Sequence, residues 1–117
     1  GCKEGDIGCA VLSRVVGHYR SSGHMLCDAG SLAMSKDLAP QDASFGKVLG
    51  GELFLSSVSQ EVGKLTGPGG TPPDYDSYPP GALVRILPNH SCLTAALHPH
   101  YFLLRGGEVV GVARPCR

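Results

Sequence analysis

A histidine and a cysteine two residues apart, His90 and Cys92, are the side chains in this sequence most suited to chemistry. Imidazole nitrogen and thiolate sulfur are both favoured ligands of zinc. The pair follows residues 82–87, an apolar run that is typical of a strand. Pro88 ends such a strand and turns the backbone, so we expect both side chains at an exposed rim. The H-x-C spacing alone is weak evidence for a metal site, because the chain has five cysteines and five histidines.

A second group of polar residues occupies positions 28–37. Asp28 is followed by Gly30, and this pattern at the end of a strand indicates a sharp change of direction. The side chains of Ser35 and Asp37 could line a pocket or hydrogen-bond to nearby backbone. Residue types alone favour the second interpretation, a short and tightly turned connection held by side-chain-to-backbone hydrogen bonds.

The composition indicates one modest domain over residues 1–117. Lys plus Arg and Asp plus Glu are 10 each, so the formal net charge is zero and no nucleic-acid partner is expected. No apolar run is long enough for a transmembrane helix, so no membrane partner is expected either. The 17 glycines and 9 prolines favour many short strands over long helices.

The N-terminal sequence and the cysteine content indicate the cellular compartment of the protein. The chain begins without Met and without the apolar stretch of a signal peptide, which suggests a part excised from a longer protein. An odd number of widely spaced cysteines argues against a disulfide framework, so we expect a cytoplasmic, reducing environment. Cys9 and Cys27 are interpreted as small apolar side chains buried in strands.

The apolar pattern predicts an all-β domain, a small antiparallel β-barrel or sandwich of about six or more strands. A hairpin is predicted across residues 20–23, with His18 and His24 solvated at its end, and another across Gly106-Gly107. Residues 66–81 are predicted to be an irregular surface excursion with no core of its own. Residues 94–97 suit either a short strand or one helical turn. The predicted strands cover residues 7–19, 24–29, 47–49, 52–61, 82–87, 101–105 and 108–114.

Taken in order, the polar motifs resemble the C-terminal domain of the eukaryotic-type D-serine dehydratases. These are relatives of D-threonine aldolase and of the alanine racemase fold group, and the similarity covers about residues 9–114. A closing Gly-Gly hairpin completes the pattern. The motifs that carry the resemblance are Asp28-Ala29-Gly30, Ser35-Lys36-Asp37, Ser59-Gln60-Glu61 and Pro88-Asn89-His90-Ser91-Cys92.

The resemblance implies a β-domain that follows an N-terminal α/β barrel carrying pyridoxal phosphate on a lysine. It also implies a homodimer with active sites near the junction of the two domains, and a D-amino acid such as D-serine as substrate. His90 and Cys92 map onto the family's zinc ligands, and the zinc coordinates the substrate hydroxyl that leaves as water. Pyruvate and ammonia are the products from D-serine. Possible pocket-lining residues are Asp28, Ser35, Asp37 and Glu61.

The chain departs from the family pattern at two positions. Val62 follows Glu61 where a histidine is usual, and Ala82 follows Gly81 where an aspartate is usual. None of the four lysines has a family role, so this chain by itself is not expected to be a pyridoxal phosphate enzyme.

Two alternatives therefore stay open. The first is a diverged or truncated paralogue that acts as a non-catalytic dimerisation or binding module. The second is a D-threonine aldolase-like lyase with a divalent metal, which a cysteine ligand disfavours because hard ions prefer oxygen donors. His98 and His100 are not assigned as metal ligands.

Overall fold

A computed structural model of the protein describes residues 9–36, 44–89, 91–105 and 108–114, with the backbone alone for residues 91–93. Two single-turn 3-10 segments, Pro68–Gly70 and Tyr75–Ser77, lie in the connection before the sixth strand. The helices and strands in chain order are β1 (Val11–Tyr19), β2 (His24–Cys27), α1 (Ser31–Met34), β3 (Gly46–Val48), β4 (Phe54–Val58), β5 (Gly63–Thr66), β6 (Leu83–Pro88), α2 (Ser91–Ala96), β7 (Tyr101–Arg105) and β8 (Glu108–Ala113).

Six strands close into an antiparallel barrel in the order β1-β2-β5-β4-β3-β6. The remaining strands, β7 and β8, form a separate antiparallel pair, which we call the arm. The all-β barrel and both predicted hairpins are therefore confirmed. Residues 94–97 begin in a helix rather than a strand, since α2 continues to Ala96. None of the described helices is long and apolar enough to span a membrane.

The barrel core follows from the two-residue period of its strands. Along β1, Val11, Ser13 and Val15 are buried while Leu12 and Arg14 are exposed, as expected when alternate side chains point to opposite faces. Closure pairs both edges of every barrel strand and leaves the inward side chains in one continuous core. The fully buried members, each with 0 % exposure, are Val15, Met25, Cys27, Leu55, Leu65 and Ile86.

Glycine at position 46 allows β3 to approach β6 where the latter ends. Gly46 pairs with Pro88, and a Cβ on Gly46 would lie 2.8 Å from Ile86 Cγ2 and 2.9 Å from the Leu87 oxygen. Pro88 is the last residue of its strand, a position where a missing N–H is tolerated. The strand that leads to His90 is thus held in the barrel to its final residue.

The loop before β6 and the histidine near the end of β1 are both more buried than the sequence suggests. Residues 66–81 do contribute to the core, because Tyr75 is only 9 % exposed and packs in the main cluster. His18 is half-buried rather than solvated, and its Nε2 lies 2.6 Å from the Tyr78 oxygen. The loop folds back over the end of β1, which composition could not indicate.

Cys9 and Cys27 were both expected to be buried in strands, and the structure confirms this for Cys27 alone. Cys27 is fully buried in the core, whereas Cys9 is half-buried just before β1. Burial raises the pKa of the Cys27 thiol above its ordinary value.

Candidate functional site

Helix α1 begins against the turn between β4 and β5. The N–H of Ser31 donates to the Ser59 oxygen at 2.7 Å, and the N–H of Leu32 donates to the Gln60 oxygen at 3.0 Å. These N–H groups belong to the first helical turn, where no intrahelical acceptor is available. A Cβ on Gly30 would lie 2.5 Å from the Val62 nitrogen, so a glycine is needed for the approach. The structure therefore joins the Asp-Ala-Gly motif to the Ser-Gln-Glu motif.

The other end of α1 meets the segment that contains α2. Thr94 Oγ1 donates to the Met34 oxygen at 2.8 Å, and Thr94 is 1 % exposed. His98 Nε2 lies 2.9 Å from the Ala33 oxygen and must carry the ring proton, because a carbonyl only accepts. Both oxygens are at the C-terminal end of a helix, where carbonyls lack intrahelical donors. Side chains of the α2 segment thus cap α1.

Asn89 fixes the backbone on the other side of His90. Its Nδ2 donates to the Ser44 oxygen at 2.7 Å, and Ser44 is 2 % exposed. The His90–Cys92 pair is consequently flanked by two side-chain-to-backbone hydrogen bonds, from Asn89 before it and from Thr94 after it.

The metal ligands predicted from the sequence fall at the limits of the described structure. His90 lies outside the described residues, and Cys92 is described by its backbone in α2. Across the described parts of the chain, no group of three or more His, Cys, Asp or Glu is placed to hold a metal ion. The assignment of His90 and Cys92 as zinc ligands stays a prediction.

The Asp28 carboxylate accepts hydrogen bonds from the neighbouring strand β1. It accepts from Ser13 Oγ at 2.7 Å and from the Arg14 N–H at 2.9 Å. The Arg14 guanidinium in turn donates to the Gly81 oxygen at 2.8 Å. These bonds tie the end of β2 to β1, and β1 to the residues before β6, in agreement with the interpretation of a connection held by side-chain hydrogen bonds.

The other predicted pocket residues lie around α1. Ser35 follows the helix with a positive φ of 66°, and its N–H donates to the Ser31 oxygen at 2.9 Å. Glu61 is exposed in the β4–β5 turn. Asp37 lies outside the described residues. That these residues line a pocket also stays a prediction.

An apolar cleft of about 1210 Å³ separates the barrel from the arm. On one side it is lined by Leu12, Leu83 and Leu87, and on the other by Phe102 and Leu104. None of Asp28, Ser35 or Glu61 is among the residues that line it. Thr94 and His98, whose side chains bond to α1, do line it, so the cleft adjoins the α2 segment.

Sequence reasoning missed the residues that anchor the motif, namely Asn89, Thr94 and His98. One signal was present, since Thr94 and His98 are four residues apart and such residues share a face of a helical segment. That signal has meaning only for a helix, and the local sequence left strand and helix open. The acceptor on Met34 is 60 positions away in the chain.

Comparison with known proteins places these motifs in a family. A profile of the serine dehydratase domain matches residues 8–104. The D-serine dehydratase of Dictyostelium discoideum is 35 % identical over 123 residues, covering 97 % of this chain and 31 % of that protein. The D-threo-3-hydroxyaspartate dehydratase of Delftia sp. is 37 % identical over 112 residues, covering 86 % of this chain and 30 % of that protein. The chain thus spans about a third of the length of these curated relatives.

Solved structures agree with the sequence comparison. The D-threo-3-hydroxyaspartate dehydratase from Delftia sp. HT23 superposes with a TM-score of 0.86 and 35 % identity, over 97 % of this chain and 34 % of that one. An alanine racemase-like protein from Idiomarina loihiensis superposes with a TM-score of 0.81 and 31 % identity, over 97 % and 32 %. The barrel is the fold of the C-terminal domains of alanine racemase-like proteins. The chain belongs to the serine dehydratase domain family and corresponds to the C-terminal third of its relatives.

Proposed function

We propose that this chain is the zinc-binding C-terminal domain of a pyridoxal-phosphate-dependent, D-serine dehydratase-like lyase. The reaction converts D-serine, or a similar 3-hydroxy-D-amino acid, into a 2-oxo acid and ammonia. The observation that carries the proposal is the His90–Cys92 pair within a chain of this family. The named relatives act on D-serine and on D-threo-3-hydroxyaspartate, which both carry a hydroxyl on the carbon next to Cα.

The donor set fits zinc. An imidazole nitrogen and a thiolate sulfur are ligands that zinc accepts, and two protein ligands leave coordination positions open for substrate and water. Bound zinc would supply a Lewis acid that stabilises the charge developing on the departing hydroxyl oxygen. Support comes from two solved variants of a D-threo-3-hydroxyaspartate dehydratase, one with a histidine and one with a cysteine replaced by alanine, the latter in the metal-free form. The two replaced positions are two residues apart, as His90 and Cys92 are.

Hydrogen bonds of described residues hold the backbone near the proposed zinc ligands. The Thr94 bond to the Met34 oxygen holds α2 on α1, and α1 in turn contacts the Ser59–Gln60 turn. The Asn89 bond to the Ser44 oxygen holds the end of β6. In this proposal, these contacts fix the backbone on both sides of the His90–Cys92 pair.

Pyridoxal phosphate belongs to the N-terminal barrel that the chain does not include. The cofactor would supply the electron sink for the carbanion at Cα. The proposal places that barrel, and a second copy of the whole protein, as the partners of this domain. Support comes from the third of each relative that the chain spans and from the exposed apolar side chains of the arm.

The compartment is part of the same proposal. A cytoplasmic, reducing environment suits a protein whose activity needs a free Cys92 thiolate. Cys9 and Cys27, the two cysteines whose side chains are described, are both free.

A second function, a non-catalytic dimerisation or binding module, is favoured by the two departures from the family pattern. Val62 is 37 % exposed in the β4–β5 turn, and Ala82 packs partly against the core. The Ala82 oxygen accepts from the Val15 N–H at 2.8 Å, so the backbone there supports the barrel whichever side chain is present. Neither departure disturbs the fold, and each removes a polar side chain that the dehydratases usually have.

The test is an assay of the natural full-length polypeptide that contains these residues. We expect 2-oxo acid and ammonia from D-serine or D-threo-3-hydroxyaspartate, with one zinc per chain. Cys92→Ser should remove the zinc and lower activity by at least about 100-fold. Cys9→Ser is the matched control, because Cys9 is half-buried and outside the motif. Full activity of Cys92→Ser would overturn the zinc proposal, and an inactive, zinc-free wild type would favour the binding module.

A further inference from the structure

We infer that the buried hydroxyl of Thr94 is a positioning group for the metal-binding segment, acting through its hydrogen bond to helix α1. The inference rests on the proposed zinc site. It assigns a role to a residue two positions beyond Cys92 that cannot be a good zinc ligand itself, because zinc prefers nitrogen and sulfur donors and carboxylates.

The Thr94 hydroxyl is a buried polar group. Thr94 is 1 % exposed, and valine would fill the same volume without a polar atom to satisfy. The hydroxyl is instead bonded to the Met34 oxygen at 2.8 Å. A buried polar group of this kind fixes one arrangement of its two segments, because any shift leaves both donor and acceptor without a partner.

The acceptor is itself fixed in the barrel. Met34 is 2 % exposed, and its Cε lies 3.1 Å from the position that a Cβ on Gly46 would take. Gly46 pairs with Pro88, the residue from which the chain leaves β6 toward His90. Helix α1 therefore packs at the ends of β3 and β6, the strand end from which the chain continues to Asn89 and His90.

The two anchors enclose a short segment. Asn89 is bonded to the Ser44 oxygen and Thr94 to the Met34 oxygen, so only residues 90–93 lie between them. His98 adds a third contact, with its Nε2 2.9 Å from the Ala33 oxygen. A site with only two protein ligands depends on having both in place before the metal arrives, so fixing the backbone at each end preserves affinity.

The experiment compares zinc affinity among threonine variants of the natural full-length polypeptide, by competition with a chromophoric zinc chelator. Thr94→Val removes the hydroxyl and should weaken zinc binding about tenfold. Thr94→Ser keeps the hydroxyl and should retain wild-type affinity. Thr66→Val is the matched control, since Thr66 is also buried, at 8 % exposure, and its Oγ1 has no hydrogen-bond partner within the described structure. Thr66→Val should bind zinc as the wild type does.

Each outcome decides a separate point. A wild type without zinc contradicts the proposed function, and the inference falls with it. A wild type that binds zinc, together with a folded Thr94→Val of equal affinity, overturns the inference alone. If Thr94→Val does not fold, Thr94→Ser decides, because a loss of zinc affinity in that variant would mean that the hydroxyl is not the positioning group.

Discussion

The barrel and the arm are both built from apolar strands, yet they differ in what covers those strands. In the barrel, inward side chains such as Leu65 and Ile86 have no exposure. In the arm, the large apolar side chains are about half exposed or more. They are Phe102 at 62 %, Leu103 at 48 %, Leu104 at 53 %, Val109 at 60 %, Val110 at 55 % and Val112 at 54 %.

The difference indicates what each region needs from outside. A closed barrel pairs its own edges and buries its own core, whereas a two-stranded sheet alone is marginally stable in water. Apolar residues exposed together on a sheet usually mark a surface that another protein covers. The arm thus leaves its apolar side chains uncovered within the described structure, whereas the barrel covers its own.

The largest difference in the cost of a substitution to unfolding free energy is expected between two leucines. Leu65→Ala in the barrel should cost about 2–5 kcal/mol of unfolding free energy, because it leaves a cavity at a site with 0 % exposure. Leu104→Ala in the arm of the same chain should cost about 0.5 kcal/mol or less, since Leu104 is already 53 % exposed. Urea unfolding of both variants measures the two costs. Equal costs would show that the arm is as well covered as the barrel.

The next largest difference in stability cost is expected between two glycine-to-alanine substitutions. Gly30→Ala should cost about 1–3 kcal/mol, because the new Cβ would lie 2.5–2.6 Å from backbone atoms of residues 59–62, which cannot move aside as a side chain can. Gly111→Ala in the arm should be neutral or slightly stabilising, since the nearest atom, Leu103 Cδ1, is 3.6 Å away. Thermal unfolding of the pair tests this expectation. A neutral Gly30→Ala would mean that α1 does not rest on the β4–β5 turn.

The two described cysteines distinguish the barrel interior from the cleft that faces the arm. Cys27 should resist alkylation in the native state while Cys9 reacts, because Cys27 is fully buried and Cys9 lines the cleft. Mass spectrometry after timed labelling with iodoacetamide measures the alkylation rates of both cysteines. Burial also raises the pKa of the Cys27 thiol above its ordinary 9.0. The contribution of this thiol to stability is therefore complete below pH 9.0 and is lost as the pH rises through the folded-state pKa. Rapid native labelling of Cys27 would contradict a closed barrel.

The smallest effect lies outside both regions, in the loop after β5. Ser77 Oγ donates to Asp74 Oδ2 at 2.6 Å and lowers the pKa of that carboxyl below its ordinary 3.8. The contribution of the Asp74 carboxylate to stability is therefore complete above pH 3.8 and is lost as the pH falls through the lowered pKa. Ser77→Ala should raise the pKa of Asp74 toward 3.8 and leave barrel stability at neutral pH nearly unchanged, which NMR titration and urea unfolding measure. An unchanged pKa would mean that this hydrogen bond is not populated in solution.

Much of the fold could be predicted, and the failures have physical causes. The Gly-Gly hairpin and the turn at residues 20–23 were visible because special turn residues separate apolar strands. The strand β5 was missed since four residues that include a glycine and a lysine show no clear alternation, and β5 is defined by its pairing with β2 and β4. Tyr75 was missed because tertiary packing buries it in a segment whose composition is typical of a surface loop.

The candidate site could be predicted only through the resemblance. The spacing of His90 and Cys92 is weak evidence alone, and it gains weight from the order of the other motifs. The structure adds that these motifs meet in space, since α1 contacts both the Ser59–Gln60 turn and the α2 segment. Contacts such as that of Thr94 with Met34 join residues far apart in the chain, and a local pattern cannot indicate them.

The most direct test is to count zinc in the purified natural full-length polypeptide and in its His90→Ala and Cys92→Ser variants, by inductively coupled plasma mass spectrometry. X-ray absorption at the zinc edge would then identify the ligands. The proposed site requires one zinc per wild-type chain with one sulfur and at least one imidazole ligand, and no zinc in either variant. Zinc that is retained in both variants, or a wild type purified with zinc in the medium that holds none, would contradict it.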